Sequence, residues 1–83
     1  MSNPSIEQFM NADFNVLSPS RIGGEPTITV ENAVAPTPFY YEVSVQEFSE
    51  LHREALRLTE DDDYVHRALE AEIELNEDYG VSL

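Results

Sequence analysis

A small α+β domain is the fold class this sequence predicts. It is an antiparallel sheet of two or three strands packed on two C-terminal amphipathic helices, with an extended Pro/Gly-containing N-terminal region. Three observations predict it. Residues 45–79 read as two helices joined by the acidic hinge Thr59-Glu60-Asp61-Asp62-Asp63; residues 27–31 and 39–43 alternate like strands; and residues 1–38 hold all five prolines and two of the three glycines. The expected division is an N-terminal arm or loosely packed segment over residues 1–25 and a single small domain over residues 26–83.

The chain opens on a short helical candidate at residues 4–10, with Asn3 as its cap and Pro4 in the first helical position, where a missing N–H costs nothing. Ile6, Phe9 and Met10 share one face. So short a helix needs a surface to dock on, in this chain or in a partner. Phe14 and Val16 alternate with Asn15 as a short strand that Ser18-Pro19-Ser20 interrupts, and Gly23-Gly24 marks a turn.

Thr27-Ile28-Thr29-Val30-Glu31 is β-branched and alternating, so Ile28 and Val30 fall on one face of a strand. Phe39, Tyr41 and Val43 do the same in a second. The connection at 32–38 is long for a hairpin, and Pro36 and Pro38 stiffen it. Two strands alone are marginal unless something covers one face. The helical half supplies that cover.

In the first long helix Val45, Phe48, Leu51, Ala55 and Leu58 recur at steps of three and four, the stripe of a 3.6-residue period. Ser44 with Glu47 three residues later forms a capping-box pattern, and Glu50/Arg53 and Glu54/Arg57 are candidate i,i+3 pairs. Thr59 reads as the cap of the second helix. Glu60, Asp61 and Asp62 then fall in its first turn, where the positive end of the helix dipole stabilises carboxylates. Tyr64, Val65, Ala68, Leu69, Ala71, Ile73 and Leu75 are expected to form one wide apolar sector, opposite Glu70, Glu74 and Glu77. From Glu70 onward the segment also alternates with the period of a strand. Its Ala, Leu and Glu content favours helix, with Gly80 as the stop.

Charge sets this chain apart. Seventeen acids against four Arg and no Lys give 83 residues a net charge of −13, of which residues 44–83 carry −9. A surface of this sign repels nucleic acid and anionic membranes and suits a basic protein surface, such as the nucleic-acid-binding face of another protein. No apolar run is long enough for a membrane span, and the expected location is the cytoplasm, of the host cell if the protein is viral. There is no Cys and therefore no disulfide or thiolate metal site.

No catalytic, metal or cofactor site is expected. His66 and Glu70 are at i,i+4 spacing, but neither His66 nor His52 belongs to a two-histidine helical motif, and Asp61-Asp62-Asp63 lacks the alternate acids, central Gly and terminal Glu of a calcium loop. The Ser and Thr residues have no evident base and orienting group. The candidate partner-binding residues are the carboxylates Glu60, Asp61, Asp62, Asp63, Glu70, Glu74, Glu77 and Asp78, with Tyr64 and Tyr79 as apolar anchors; Tyr40 and Phe39 are further anchor candidates. Carboxylates one helical turn apart stand about 5–6 Å from each other, near the spacing of successive phosphates on one strand. The expected function is therefore a non-enzymatic acidic protein that blocks a basic surface, an inhibitor or nucleic-acid mimic of the kind phages encode. The alternative is a structural or accessory component of a larger assembly such as a virion, anchored by its extended N-terminal half.

Overall fold

Six elements follow from these local preferences in a computed structural model, which describes residues 3–19 and 24–83. In chain order they are α1 (Ile6–Met10), β1 (Asp13–Leu17), β2 (Thr27–Asn32), β3 (Phe39–Ser44), α2 (Val45–Leu58) and α3 (Asp62–Tyr79). The fold is a small α+β domain. Part of the expected Gly23-Gly24 turn lies outside the described residues, as does Ser20.

The three strands form one antiparallel sheet in the order β1-β2-β3. Phe14 pairs with Val30 and Val16 with Ile28 on one side of β2, and Val30 pairs with Tyr41 and Ile28 with Val43 on the other. Alternation then sends all of these to the face that packs on the helices. Asn15, Thr29 and Glu42 share the opposite face, as do Asp13, Glu31 and Tyr40. Between β2 and β3 the Asn32 side chain organises the turn, accepting from the Val34 N–H at 3.0 Å and donating to the Asn11 carbonyl at 2.9 Å.

α1 starts two residues later than the Asn3 cap implies. Ser5 is its N-cap, and Ser5 and Gln8 form a reciprocal capping box, because Gln8 stands where its side chain reaches back to the Ser5 N–H. Residues 1–25 thus contain a helix that delivers Phe9, fully buried, and a strand hydrogen-bonded to the sheet; Ala12 between them is buried as well. Phe9, Phe14, Phe48 and Tyr64 form the centre of the core, with ring centroids 4.9 to 6.2 Å apart. Each such aromatic contact is worth about 0.5–1.5 kcal/mol beyond the area it buries.

α2 begins with the expected Ser44/Glu47 capping box. Phe48 and Ala55 are buried and Val45 and Leu51 pack beside them, but Leu58, the last residue of the helix, is exposed. Glu54 pairs with Arg57 at 3.3 Å, whereas no ion pair links Glu50 to Arg53 among the described residues.

The cap of α3 is Asp61 rather than Thr59. Asp61 accepts from the Asp63 N–H at 2.9 Å, while the Thr59 hydroxyl accepts from the Asp61 N–H and so belongs to the turn before the helix. The alternating segment after Glu70 is helical. At the far end Gly80, at φ 67 and ψ 24, reverses the chain: its N–H donates to the Asn76 carbonyl, and Val81 donates to that of Leu75. Val81 is thereby brought back against the core.

The wide apolar sector expected on α3 is divided. Tyr64, Ala68, Ala71 and Leu75 face the core, whereas Val65, Leu69 and Ile73 are 38, 47 and 45% exposed. The two sets point about 130° apart around the helix, so a face that buries the first leaves the second outside.

Candidate interaction surface

Position on α3 decides which carboxylates act together. At 100° per residue Asp63, Glu70, Glu74 and Glu77 fall within roughly 60° of one another on the exposed helix surface. Each of these four is solvent-exposed, as are Glu60, Asp61, Asp62 and Asp78. All eight carboxylates expected at the surface are therefore outward, although they differ in what they are free to do. Asp61 is occupied by its capping bond. Asp63 accepts from Arg67 Nε at 3.2 Å, and Glu70 lies 3.1 Å from His66 Nε2. No bond of that kind engages Glu60, Asp62, Glu74, Glu77 or Asp78 among the described residues.

The sheet adds acids that the sequence alone did not assign to this surface. Asp13 and Glu31, direct partners across β1 and β2, line the same depression as Glu70 and Glu74, a space of about 500 Å³ between the β1 edge and α3. Their separation in sequence hid the grouping. The available signal was alternation: both acids occupy outward positions of strands that flank Phe14 and Val30. Like charges placed opposite each other destabilise a sheet, and Asn15 relieves this pair by donating to Glu31 at 3.3 Å.

Arg67 is the cation nearest this acidic ground, and the fold has turned it inward. Its guanidinium donates to the Ala12 carbonyl and, at 2.9 Å, to the Met10 carbonyl, which satisfies the end of α1. Only 21% of the side chain remains exposed. The guanidinium keeps its positive charge beside Asp63 and within the depression that Asp13, Glu31, Glu70 and Glu74 line, where the acids outnumber it.

The two tyrosines expected as anchors do not serve together. Tyr64 is fully buried, its ring within the aromatic cluster, and so cannot meet a partner; it sits one residue before the apolar positions that are exposed. Tyr79 is half-buried, with its hydroxyl 2.9 Å from that of Ser18. Of the remaining candidates, Tyr40 is 60% exposed on β3 and Phe39 half-buried beside Tyr41.

Among the described residues two groups have shifted titration. Burial lowers the pKa of His52 from its ordinary 6.5, against a smaller opposing pull from the Glu72 carboxylate. Burial raises that of Tyr64 well above its ordinary 10.0, against a smaller effect of Arg67. The two are joined by a partly buried hydrogen bond between α2 and α3. Among the described residues no three His, Asp or Glu side chains are grouped to hold a metal ion.

The chain matches no family model, no curated protein and no solved structure. Its own surface is what carries a functional reading. No helix among the described residues is long and apolar enough to cross a membrane.

Proposed function

We propose that this chain is a non-enzymatic binding protein whose acidic surface docks on and blocks a basic, nucleic-acid-binding surface of another protein. The observation that carries this reading is the outward row of Glu70, Glu74 and Glu77 on α3, extended across the β1 edge by Asp13 and Glu31. Rows of carboxylate one helical turn apart repeat at about 5–6 Å, so a groove built to follow a phosphate backbone finds negative charge at a usable interval. The net charge of −13 would steer the encounter and make it strongly salt-dependent. This is the behaviour of a nucleic-acid mimic, and inhibitors encoded by phages are the natural comparison.

The reading as an assembly component anchored by an extended N-terminal half has less support. The apolar side chains that would do the anchoring are engaged within this chain: Phe9 and Ile28 are buried in its core, and Ile6 and Phe14 pack against that core.

The test is affinity capture on the immobilised chain from the cells that produce it, at low and at high salt, with mass spectrometry of the retained proteins. Nucleic-acid-binding proteins retained at low salt and released at high salt are the expected result. Retention of only acidic proteins, or retention indifferent to salt, would count against the proposal.

A further inference from the structure

From the exposed side of α3 we infer a second recognition element, an acid-rimmed apolar stripe that takes the apolar face of a basic amphipathic helix. The inference rests on the basic-partner reading above and specifies what kind of basic surface is bound.

Val65, Leu69 and Ile73 are each exposed by more than a third and follow one another at i,i+4 steps. Their common direction lies roughly 130° around the helix from the core-facing Tyr64, Ala68, Ala71 and Leu75, so no part of the core needs them there. At its C-terminal end the stripe gains depth. Gly80 turns the chain back, and Val81 and Leu83 come to lie beside Leu69 and Ile73, enclosing a depression of about 280 Å³. That is room for one or two large side chains between a helix ridge and a wall, the shape into which a second helix fits its own ridge. From Val65 to Ile73 the stripe spans about 12 Å, or two helical turns. A partner helix meets that length with apolar residues at i, i+4 and i+7.

Charge decides the occupant. Glu72 and Glu77 line the same depression, and Glu70 lies one further step around the helix from Ile73, while Arg67, the arginine of α3, is engaged with α1 on the far side. A second copy of this chain would bring −13 against −13 and set Glu72 and Glu77 against their own kind. An anionic membrane meets the same repulsion. A helix with Lys or Arg on either side of an apolar strip instead buries the stripe, keeps its cationic heads over the glutamates and lays their aliphatic stems on the apolar margin. Among the described residues no strand lines the depression at the end of the stripe, so an extended peptide would find no edge to pair with there.

The experiment titrates the full chain with two synthetic peptides of identical composition, about 18 residues of Leu and Lys. In one the leucines recur at i, i+4 and i+7; in the other they are permuted so that no face collects them. Fluorescence anisotropy at low salt is read for the natural chain, for Leu69→Ala/Ile73→Ala and for Glu70→Gln/Glu74→Gln/Glu77→Gln. Alanine keeps the helix propensity of α3, and both exchanged apolar residues are outside the core. The natural chain is expected to bind the amphipathic peptide at least about tenfold more tightly than the permuted one. The alanine pair should erase that preference and leave the weaker, salt-sensitive binding of both peptides. Equal affinity of the natural chain for the two peptides overturns the apolar stripe while leaving the basic-partner reading standing. Binding of neither peptide sinks both. A natural chain that sediments as a dimer and becomes monomeric in the alanine pair also overturns the inference, by making a second copy the occupant.

Discussion

The Nδ1 atom of His52 lies 2.8 Å from the phenol oxygen of Tyr64, joining α2 to α3 by a hydrogen bond at the margin of the core. His52 also stacks on Phe48, with ring centroids 6.1 Å apart. The imidazole is therefore held between an aromatic face and a buried phenol, a setting that favours its neutral form.

A pH dependence follows with a definite sign. Because the folded pKa of His52 is below its ordinary 6.5, the unfolded chain takes up a proton first as pH falls. Stability on this account is complete above pH 6.5 and declines as pH falls from there toward the depressed value. Acidification also relieves carboxylate repulsion, so the measurement must isolate the histidine. Urea midpoints of the natural chain and of His52→Gln between neutral and mildly acidic pH do so, and only the natural chain should show this component. At the alkaline end, the raised pKa of Tyr64 makes stability fall as pH climbs above 10.0, and Tyr64→Phe should remove that fall.

Arg67 should behave as a structural latch. Arg67→Met removes the bonds to the Met10 and Ala12 carbonyls and leaves those groups without their charged donor, at a cost of about 2–3 kcal/mol. Hydrogen exchange at Phe9 and Ala12, whose amides bond within and just after α1, should quicken more than exchange in β2. Uniform acceleration throughout the chain would show instead a general loss of stability.

The ends of α3 give two local tests. Asp61→Ala should cost about 1 kcal/mol through the lost cap. Gly80→Ala meets no steric obstacle, since nothing lies within 4 Å of the added Cβ; its cost, again about 1 kcal/mol, comes from the left-handed backbone alone. Gly80→Asn, which tolerates that conformation better, should recover part of it in the same melting experiment.

Charge repulsion should be visible in the isolated protein. Added salt is expected to raise the melting temperature, and Glu70→Gln/Glu74→Gln/Glu77→Gln should reduce that dependence without lowering stability at low salt. A triple variant that melts earlier at low salt would mean that these glutamates support the fold.

Some of this molecule could be read directly from its residues. The Ser44/Glu47 box fixed where α2 starts, and the alternation of Ile28 with Val30 and of Phe39, Tyr41 and Val43 fixed which face of each strand is buried. Those signals are local, and short-range physics suffices for them. The cap of α3 is Asp61, two residues beyond the Thr59 that the sequence suggests, because both offer side-chain oxygens and only the path of the turn chooses between them. Tyr64 reads both as part of an apolar sector and as an anchor beside the acids, because a helix periodicity cannot say which of two adjacent apolar residues points inward. That choice is settled by packing: Tyr64 shares its stripe with Ala68, Ala71 and Leu75, and that stripe faces the core. The meeting of Asp13 and Glu31 with Glu70 and Glu74 depends on sheet register and on where α3 crosses, neither of which is a local property.

The most direct measurement concerns the acidic face itself. A nucleic-acid-binding protein retained on the natural chain is loaded with labelled nucleic acid, and displacement is followed as the natural chain or Glu70→Gln/Glu74→Gln/Glu77→Gln is added. The natural chain is expected to displace the nucleic acid and the triple variant, with its fold intact by circular dichroism, to fail. Equal displacement by both would contradict the central claim that these outward carboxylates meet positive charge on a partner.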